Sequence, residues 1–351
     1  MKINYQTIIL SLVPVILAAL FFGALLIVYL PADLSNPGIV FVIKDGQSSR
    51  EIALNLEKVG AVRSGKVFLI YAFLTGKIRS LQSGEYLLSP IMNIPQVLEM
   101  LSKGDVVKEK ITIIEGWNLR DIGWYFENKG MFQAEELFEL TGFPAIDHRR
   151  SLNLSYPIAN IFDSKYVFLE DKPDHYNLEG YLFPDTYEIN NGESLNSIIP
   201  KMLDNFNKKV FARLKNEIDG QDKSVFEIIT MASMVEKEVI TYEDKQIASG
   251  VLWKRLESGM PLQVDATVNY ITGRKDSGPT SSEKQIDSSY NTYKYKGLPL
   301  GPIANPGLDS IKAAIYPKES DFWYYLSTPE GKTIFSKTLQ EHNAAVEAYL
   351  R

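Results

Sequence analysis

The chain contains no cysteine, which rules out disulfides and cysteine-based zinc sites. Histidine is scarce as well. His148, His175 and His342 are scattered, and none belongs to an HExxH motif. No GxSxG elbow occurs either, so zinc-protease and serine-hydrolase chemistry have no motif to rest on. Neither a metal nor a cofactor is expected. There is also no basic excess. The formal net charge is -6, and nucleic-acid binding draws on surplus cations to neutralise phosphates, so nucleic acid is not an expected partner. What is present is an ordinary globular composition, 45% hydrophobic and 23% charged over 351 residues, enough for two domains, or three small ones, with substantial cores.

One hydrophobic run stands apart. Ile8 to Leu30 (IILSLVPVILAALFFGALLIVYL) carries no charge. As a helix it would span roughly 34 Å, enough to cross a hydrocarbon core of about 30 Å. Pro14 is tolerable in a membrane helix. A cleaved signal peptide would have a shorter apolar region and a small-residue cleavage site, and IVYLPADL offers no A-x-A pattern. The expectation is a single-pass anchor in the cytoplasmic membrane. Lys2 precedes the run and Asp33 is the first charge after it. Residues 1–7 are therefore expected in the cytoplasm and the bulk of the chain outside it. Residues 31–38 read as a linker.

An internal repeat follows. Gly46-Gln-Ser-Ser-Arg50-Glu51-Ile52-Ala53, with Glu57 and Gly60, matches Gly116-Trp-Asn-Leu-Arg120-Asp121-Ile122-Gly123, with Glu127 and Gly130. Each copy begins on a β-branched run, Ile39 to Ile43 and Ile111 to Ile114. A polar turn, an amphipathic helix ended by glycine, and a second helix (Ser64 to Thr75, Ala134 to Thr141) come next. Gly84 to Leu88 is expected to close the first copy as a strand, and Pro95 to Ser102 to form a helix between copies. This βααβ pattern resembles the LysM fold, which binds N-acetylglucosamine-containing glycans. A duplicated packing unit without a ligand is the alternative. Residues 39–143 are taken as this repeat region and 144–175 as a connecting segment.

Residues 176–351 read as a mixed α+β domain. Tyr176 to Glu188 suggests a strand, a Pro-Asp turn and a second extended run. Ser194 to Ile218 keeps helical spacing throughout, Tyr242 to Ser258 forms another helix, and Leu308 to Ala314 and Gln340 to Leu350 two more. Phe322 to Leu326 and Thr333 to Phe335 should make a hairpin. Pro261 to Tyr270 alternates polar positions, which reads as a strand with Gln263, Asp265 and Thr267 on one face. Ser289 to Gly307 is crowded with aromatics, prolines and glycines, a rigid loop of the kind that shapes binding sites.

Ser224 to Val239 (SVFEIITMASMVEKEV) is the helix with chemical promise, capped by Ser224. At about 100° per residue, Val225, Ile228, Ile229, Ala232, Val235 and Val239 form one stripe, and Glu236 falls inside it. Glu227 and Glu238 fall on the far side, as surface carboxylates. Burial disfavours a carboxylate, so an inward Glu236 would be pushed toward the range of a general acid. A buried ion pair to Arg or Lys is the alternative. With many Tyr residues on nearby loops, the domain suits a carbohydrate. Most glycoside hydrolases need two carboxylates, and Asp265, Glu179 and Asp185 are the candidates for a second.

Four stretches in order, LEGYLFPDTY (178–187), ASMVEKEV (232–239), LQVDATVNY (262–270) and YNTYKYKGLPLGPIANPG (290–307), resemble the successive motifs of the endolytic murein transglycosylases, the MltG or YceG-like family. The resemblance covers essentially the whole chain. It implies internal cleavage of peptidoglycan strands between N-acetylmuramic acid and N-acetylglucosamine, with the muramoyl 6-hydroxyl attacking its own anomeric carbon to leave a 1,6-anhydro end. It places the catalytic acid on Glu236, and Gln263, Asp265, Tyr290, Asn291 and Thr292 along the glycan cleft, with Glu179 and Tyr181 nearby. Peptidoglycan synthases are the implied partners. A membrane-anchored peptidoglycan-binding scaffold without turnover is the competing function.

Overall fold

In the computed structural model, the residues described below are 22–23, 25–32, 38–89, 91–104, 108–147, 150, 161–174, 176–275 and 278–350. Most of the apolar run 8–30 lies outside them. Among the described residues, no helix is long and apolar enough to cross a membrane.

The chain divides into two compact units, residues 1–110 with 188–193, and residues 111–187 with 194–351. In the first, β1 (Ile39–Ile43) and β2 (Gly84–Leu88) pair antiparallel, Ile39 opposite Leu88 and Ile43 opposite Gly84. Between them run α1 (Ser49–Lys58) and α2 (Gly65–Leu74), and α3 (Ile94–Lys103) follows. This is the βααβ order expected from the sequence. Alternation along β1 sends Phe41 and Ile43 inward, onto Ile52, Leu56, Phe68, Ala72, Tyr86, Val97 and Leu101, because side chains of a strand alternate faces. Ser48 and Glu51 cap α1 reciprocally, which satisfies amide donors that a helix start leaves open.

Strand β3 (Lys108–Thr112) pairs with β4 (Thr186–Asn190). The second unit continues with α4 (Leu119–Asn128) and α5 (Ala134–Thr141). Thus the two repeat copies belong to different units, the division falling just before Ile111. Here again the helix start is reciprocally capped, by Asn118 and Asp121.

The stretch expected as one long helix is α6 (Leu195–Phe206) and α7 (Ala212–Asp219) joined by a π turn at Asn207–Phe211. Phe206 and Phe211 both pack on Phe168, at 4.7 and 5.8 Å between ring centroids. Helices α8 (Val225–Glu238), α9 (Tyr242–Glu257) and α11 (Leu308–Ile315) pack together. Residues 261–264 are irregular and Asp265–Thr272 is a helix, α10, so the expected strand at 261–270 is not formed. Its polar alternation reflects a loop held by Thr292 and then a short helix ended by Gly273 in the left-handed region. Strands β5 (Tyr324–Ser327) and β6 (Thr333–Ser336) form the expected hairpin, and α12 (Leu339–Tyr349) ends the chain.

Candidate active site

Helix α8 supplies two carboxylates two residues apart, and the structure gives them opposite surroundings. The helix begins on a reciprocal cap between Ser224 and Glu227. From Ile228 to Val235 every residue is buried, Thr230 and Ser233 included. A helix buried all round has no single inward stripe, so a helical wheel cannot separate Glu236 from Glu238.

Glu236 is not the isolated acid of an apolar pocket. Its side chain is 9% exposed and faces Lys245 of α9, itself 7% exposed, with Nζ 3.3 Å from both carboxylate oxygens. The Gly307 amide and the Ser310 hydroxyl also donate to Oε2, at 3.0 and 2.5 Å. Gly307 is the residue ahead of α11, so Glu236 closes the amino end of that helix, where a negative group is favoured. All of these partners are donors. The arrangement ties α8, α9 and α11 together. The neighbourhood of Glu236 is polar, where the helical wheel led to an apolar one.

Glu238 was expected at the surface. Instead it stands on the wall of a cavity of about 420 Å³. Burial pushes its carboxyl up to about 7, and the charge of Asp265 adds to the shift. The Ala266 amide (3.5 Å), the Tyr325 hydroxyl and the Arg255 guanidinium oppose it. A carboxyl poised near neutrality, within reach of a cavity, fits general acid–base work. Arg255 is itself fixed, donating to the carbonyls of Leu262 (2.8 Å) and Trp323 (2.7 Å).

The opposite wall comes from the second repeat copy. Trp117, Asn118, Arg120, Asp121 and Trp124 line the cavity with Asp265, Ala266, Asn269 and Tyr270 of α10. Asn305 fixes the entry to α4. Its backbone amide and Nδ2 donate to the Trp117 carbonyl at 2.7 and 3.0 Å, and its carbonyl accepts from Gly116 at 2.9 Å. Its Oδ1 accepts from the amides of Gly180 and Leu182. The Pro- and Gly-rich loop therefore shapes the site by holding the wall. Arg120 donates to the Tyr270 carbonyl at 2.6 Å and lies over that ring. Lys275 pairs with Asp121 and sits 5.1 Å from the Trp124 ring centroid. Two tryptophans among polar lining side chains suit a sugar ring.

Of the glycan-binding residues expected from the sequence, Asp265 alone lines this cavity. Tyr293 donates a short hydrogen bond to it, and Lys284 pairs with it at 3.3 Å. Gln263 is exposed beside it, at a φ of 54°. Its amide donates to the Thr292 carbonyl at 3.1 Å. Tyr290, Asn291 and Thr292 are buried. The Tyr290 hydroxyl donates to Tyr176 at 3.0 Å, and Asn291 Nδ2 to the carbonyls of Lys284 and Ile286. Thr292 Oγ1 accepts from the Val264 amide at 2.9 Å. All three are engaged within the protein, and Thr292 holds the loop that presents Asp265.

Glu179 and Tyr181 are also fully buried. Tyr181 packs against Phe168 and Phe206. Glu179 accepts from the Leu119 amide (3.1 Å), Tyr270 hydroxyl (3.0 Å) and Asn305 Nδ2 (3.1 Å), and burial nonetheless pushes it up to about 8. It braces the cavity walls from behind. The turn that delivers it needs Gly180, whose φ is 91° and whose added Cβ would come within 2.7 Å of Ile229 and Pro302.

Sequence reasoning missed Glu238 and the tryptophan wall. The available signal was the contrast between copies: Gln47 and Leu54 of the first become Trp117 and Trp124 in the second.

Comparison with known proteins agrees with the resemblance read from the motifs. Residues 41–348 match the profile of the YceG-like family. A Bacillus subtilis (strain 168) protein named endolytic murein transglycosylase is 33% identical over 310 residues, covering 88% of this chain and 84% of the relative. A Streptococcus pneumoniae (strain D39) protein of the same name is 30% identical over 348 residues, covering 92% of this chain, which spans 60% of that longer relative. A crystal structure of a yceG-like protein from Listeria monocytogenes superposes with a TM-score of 0.57 at 32% identity, covering 89% of this chain and all of that one. With its family profile matched over nearly its whole length, this chain belongs to the YceG-like family.

Proposed function

We propose that this protein is an endolytic lytic transglycosylase of peptidoglycan, a lyase that cuts the bond between N-acetylmuramic acid and N-acetylglucosamine within a glycan strand, and that Glu238 is its acid–base. The carrying observation is Glu238 on the cavity wall, with its carboxyl pushed up to about 7 and two tryptophans among the residues around the same cavity. The names of the relatives from B. subtilis and S. pneumoniae support the substrate and the reaction class.

The chemistry balances with one carboxyl group. Protonated Glu238 gives its proton to the glycosidic oxygen as the bond to the muramoyl anomeric carbon breaks. The 6-hydroxyl oxygen of the same muramoyl residue bonds to that carbon. Its proton passes to the Glu238 carboxylate, which is restored as the acid. No water is consumed, and the products are a new glucosaminyl end and a 1,6-anhydromuramoyl end. The attacking oxygen is already held by the substrate, an intramolecular advantage. Asp265, beside Glu238, provides negative charge to the cationic character that develops at the anomeric carbon.

In the cell, the apolar run 8–30 anchors the protein in the cytoplasmic membrane. The site then acts outside the membrane on strands leaving peptidoglycan synthases and ends their elongation. Mass spectrometry of digested glycan strands tests this reading. Wild type should yield anhydro ends and Glu238→Gln none. Ordinary reducing ends would replace the lyase with a hydrolase. Cellular activity that survives loss of cleavage would favour a scaffold.

A further inference from the structure

We propose that the outer face of α2 in the first unit is a membrane contact, resting on the anionic leaflet surface beside the chain's own apolar segment; this rests on the anchor reading above. Helix α2 is GKVFLIYAFL. Phe68 and Ala72 are fully buried against the unit's core, while Ile70, Phe73 and Leu74 are 60%, 70% and 76% exposed. Their spacing of three and four puts them on one face. Leu69, Ile70, Phe73 and Ile78 line an open apolar depression with Arg50 at its edge. Contiguous apolar surface of this kind marks an interaction site.

Charge identifies the occupant. From Lys58 to Gly84 the sequence has no acidic residue but contains Arg63, Lys66 and Arg79, all exposed. That basic stretch sits in a chain of net charge -6. An apolar helix face with cations around it matches the composition of interfacial helices, which bury the apolar side at the headgroup boundary and attract anionic lipid. The tether supplies the location. The uncharged run ends at Leu30, and Arg63, two residues ahead of α2, donates from Nε to the carbonyl of Pro31 at 2.8 Å. Val28, near the end of the same run, is itself buried. The start of α2 is thereby fastened to the point where the apolar segment stops. A glycan would require several polar partners, and the lining has only Ser49, whose hydroxyl donates to the Ile78 carbonyl at 2.9 Å, and Arg50 at the edge.

The absence of native cysteine makes a direct test available. The full chain carrying Phe73→Cys is labelled with an environment-sensitive fluorophore and reconstituted in nanodiscs containing phosphatidylglycerol, with Asp45→Cys as reference and Leu74→Cys as a second position on the face. Quenching by lipid-borne nitroxide should be several-fold greater at 73 and 74 than at 45, and should weaken in discs of phosphatidylcholine alone. Iodide in the buffer should show the reverse order. If the chain co-purifies with the discs yet 73 and 74 are as open to iodide as 45, the proposal fails and the anchor stands. Shielding from both quenchers would mean that a second copy covers the face, which also overturns it. A chain that stays out of the discs overturns both readings.

Discussion

The two repeat copies fold by the same local rules and are put to different uses. Helices α1 and α4 start on equivalent caps, Ser48 with Glu51 and Asn118 with Asp121. The glycines ahead of them have φ values of 77° and 78°, and those after them 77° and 68°. Arg50 and Arg120 occupy equivalent positions. The difference lies in what each copy packs against. The first closes on its own strand β2 and a self-contained core. The second uses Glu179 and Asn305, far along the chain, to fix its α4 entry, and presents Trp117 and Trp124 to a cavity. A capped helix is thus a neutral module, and its chemistry depends on the long-range partners that meet it.

The largest effects should separate the two carboxylates of α8. Glu238→Gln should reduce cleavage by about 10²–10⁴-fold, the usual contribution of a general acid–base, with little change in unfolding midpoint. Glu236→Gln should act through the fold. It leaves Lys245 buried without its counter-charge, a loss of about 3–5 kcal/mol readable by denaturant unfolding. If Glu236→Gln abolished turnover at full stability while Glu238→Gln retained it, the roles would have to be exchanged.

The pH profile is the next contrast. In the proposed reaction protonated Glu238 is the starting acid, and its carboxyl is pushed up to about 7, so kcat/KM should fall as pH rises through that value, and Glu238→Gln should lose the limb. Glu179 is raised from its ordinary 4.5 to about 8. The folded state therefore binds its proton more tightly than the unfolded chain. The resulting stability is fully present below about 4.5 and is lost as pH rises toward 8. Urea unfolding across that window should be less pH-dependent in Glu179→Gln.

Exchanging residues between the copies tests the comparison itself. Trp124→Leu installs the first copy's residue and should raise KM about three- to tenfold, in line with the loss of one aromatic contact. Leu54→Trp should leave catalysis unchanged. A lower KM in Leu54→Trp would mean that the first copy also holds substrate. The smallest contrast concerns the caps. Ser48→Ala and Asn118→Ala should each cost about 1 kcal/mol of stability, but Asn118→Ala should also raise KM, because its residue lines the cavity.

Much of the architecture was legible in the order of residues. The strands of the first unit, its three helices, the terminal hairpin and the helices at 225–238, 242–257 and 308–315 follow from periodicity, caps and stop signals that act within a few residues. The strand expected at 261–270 failed because alternating polarity in a short segment is shared by loops whose side chains hydrogen-bond at intervals. The motif puts Tyr290, Asn291 and Thr292 along the expected cleft, and only the folded chain shows that their side chains are buried.

The choice between Glu236 and Glu238 illustrates the limit most clearly. The amino-acid sequence by itself determined a capped helix ending in two closely spaced carboxylates, along with the family and the repeated helix modules. Those depend on interactions within a turn or two. Only the tertiary structure decided that one carboxylate would meet Lys245 and the start of α11, while the other would meet Asp265 and an open cavity. The partners come from segments distant in the chain, and the protonation behaviour of a carboxyl group depends on the charges and solvent that surround it after those segments have assembled.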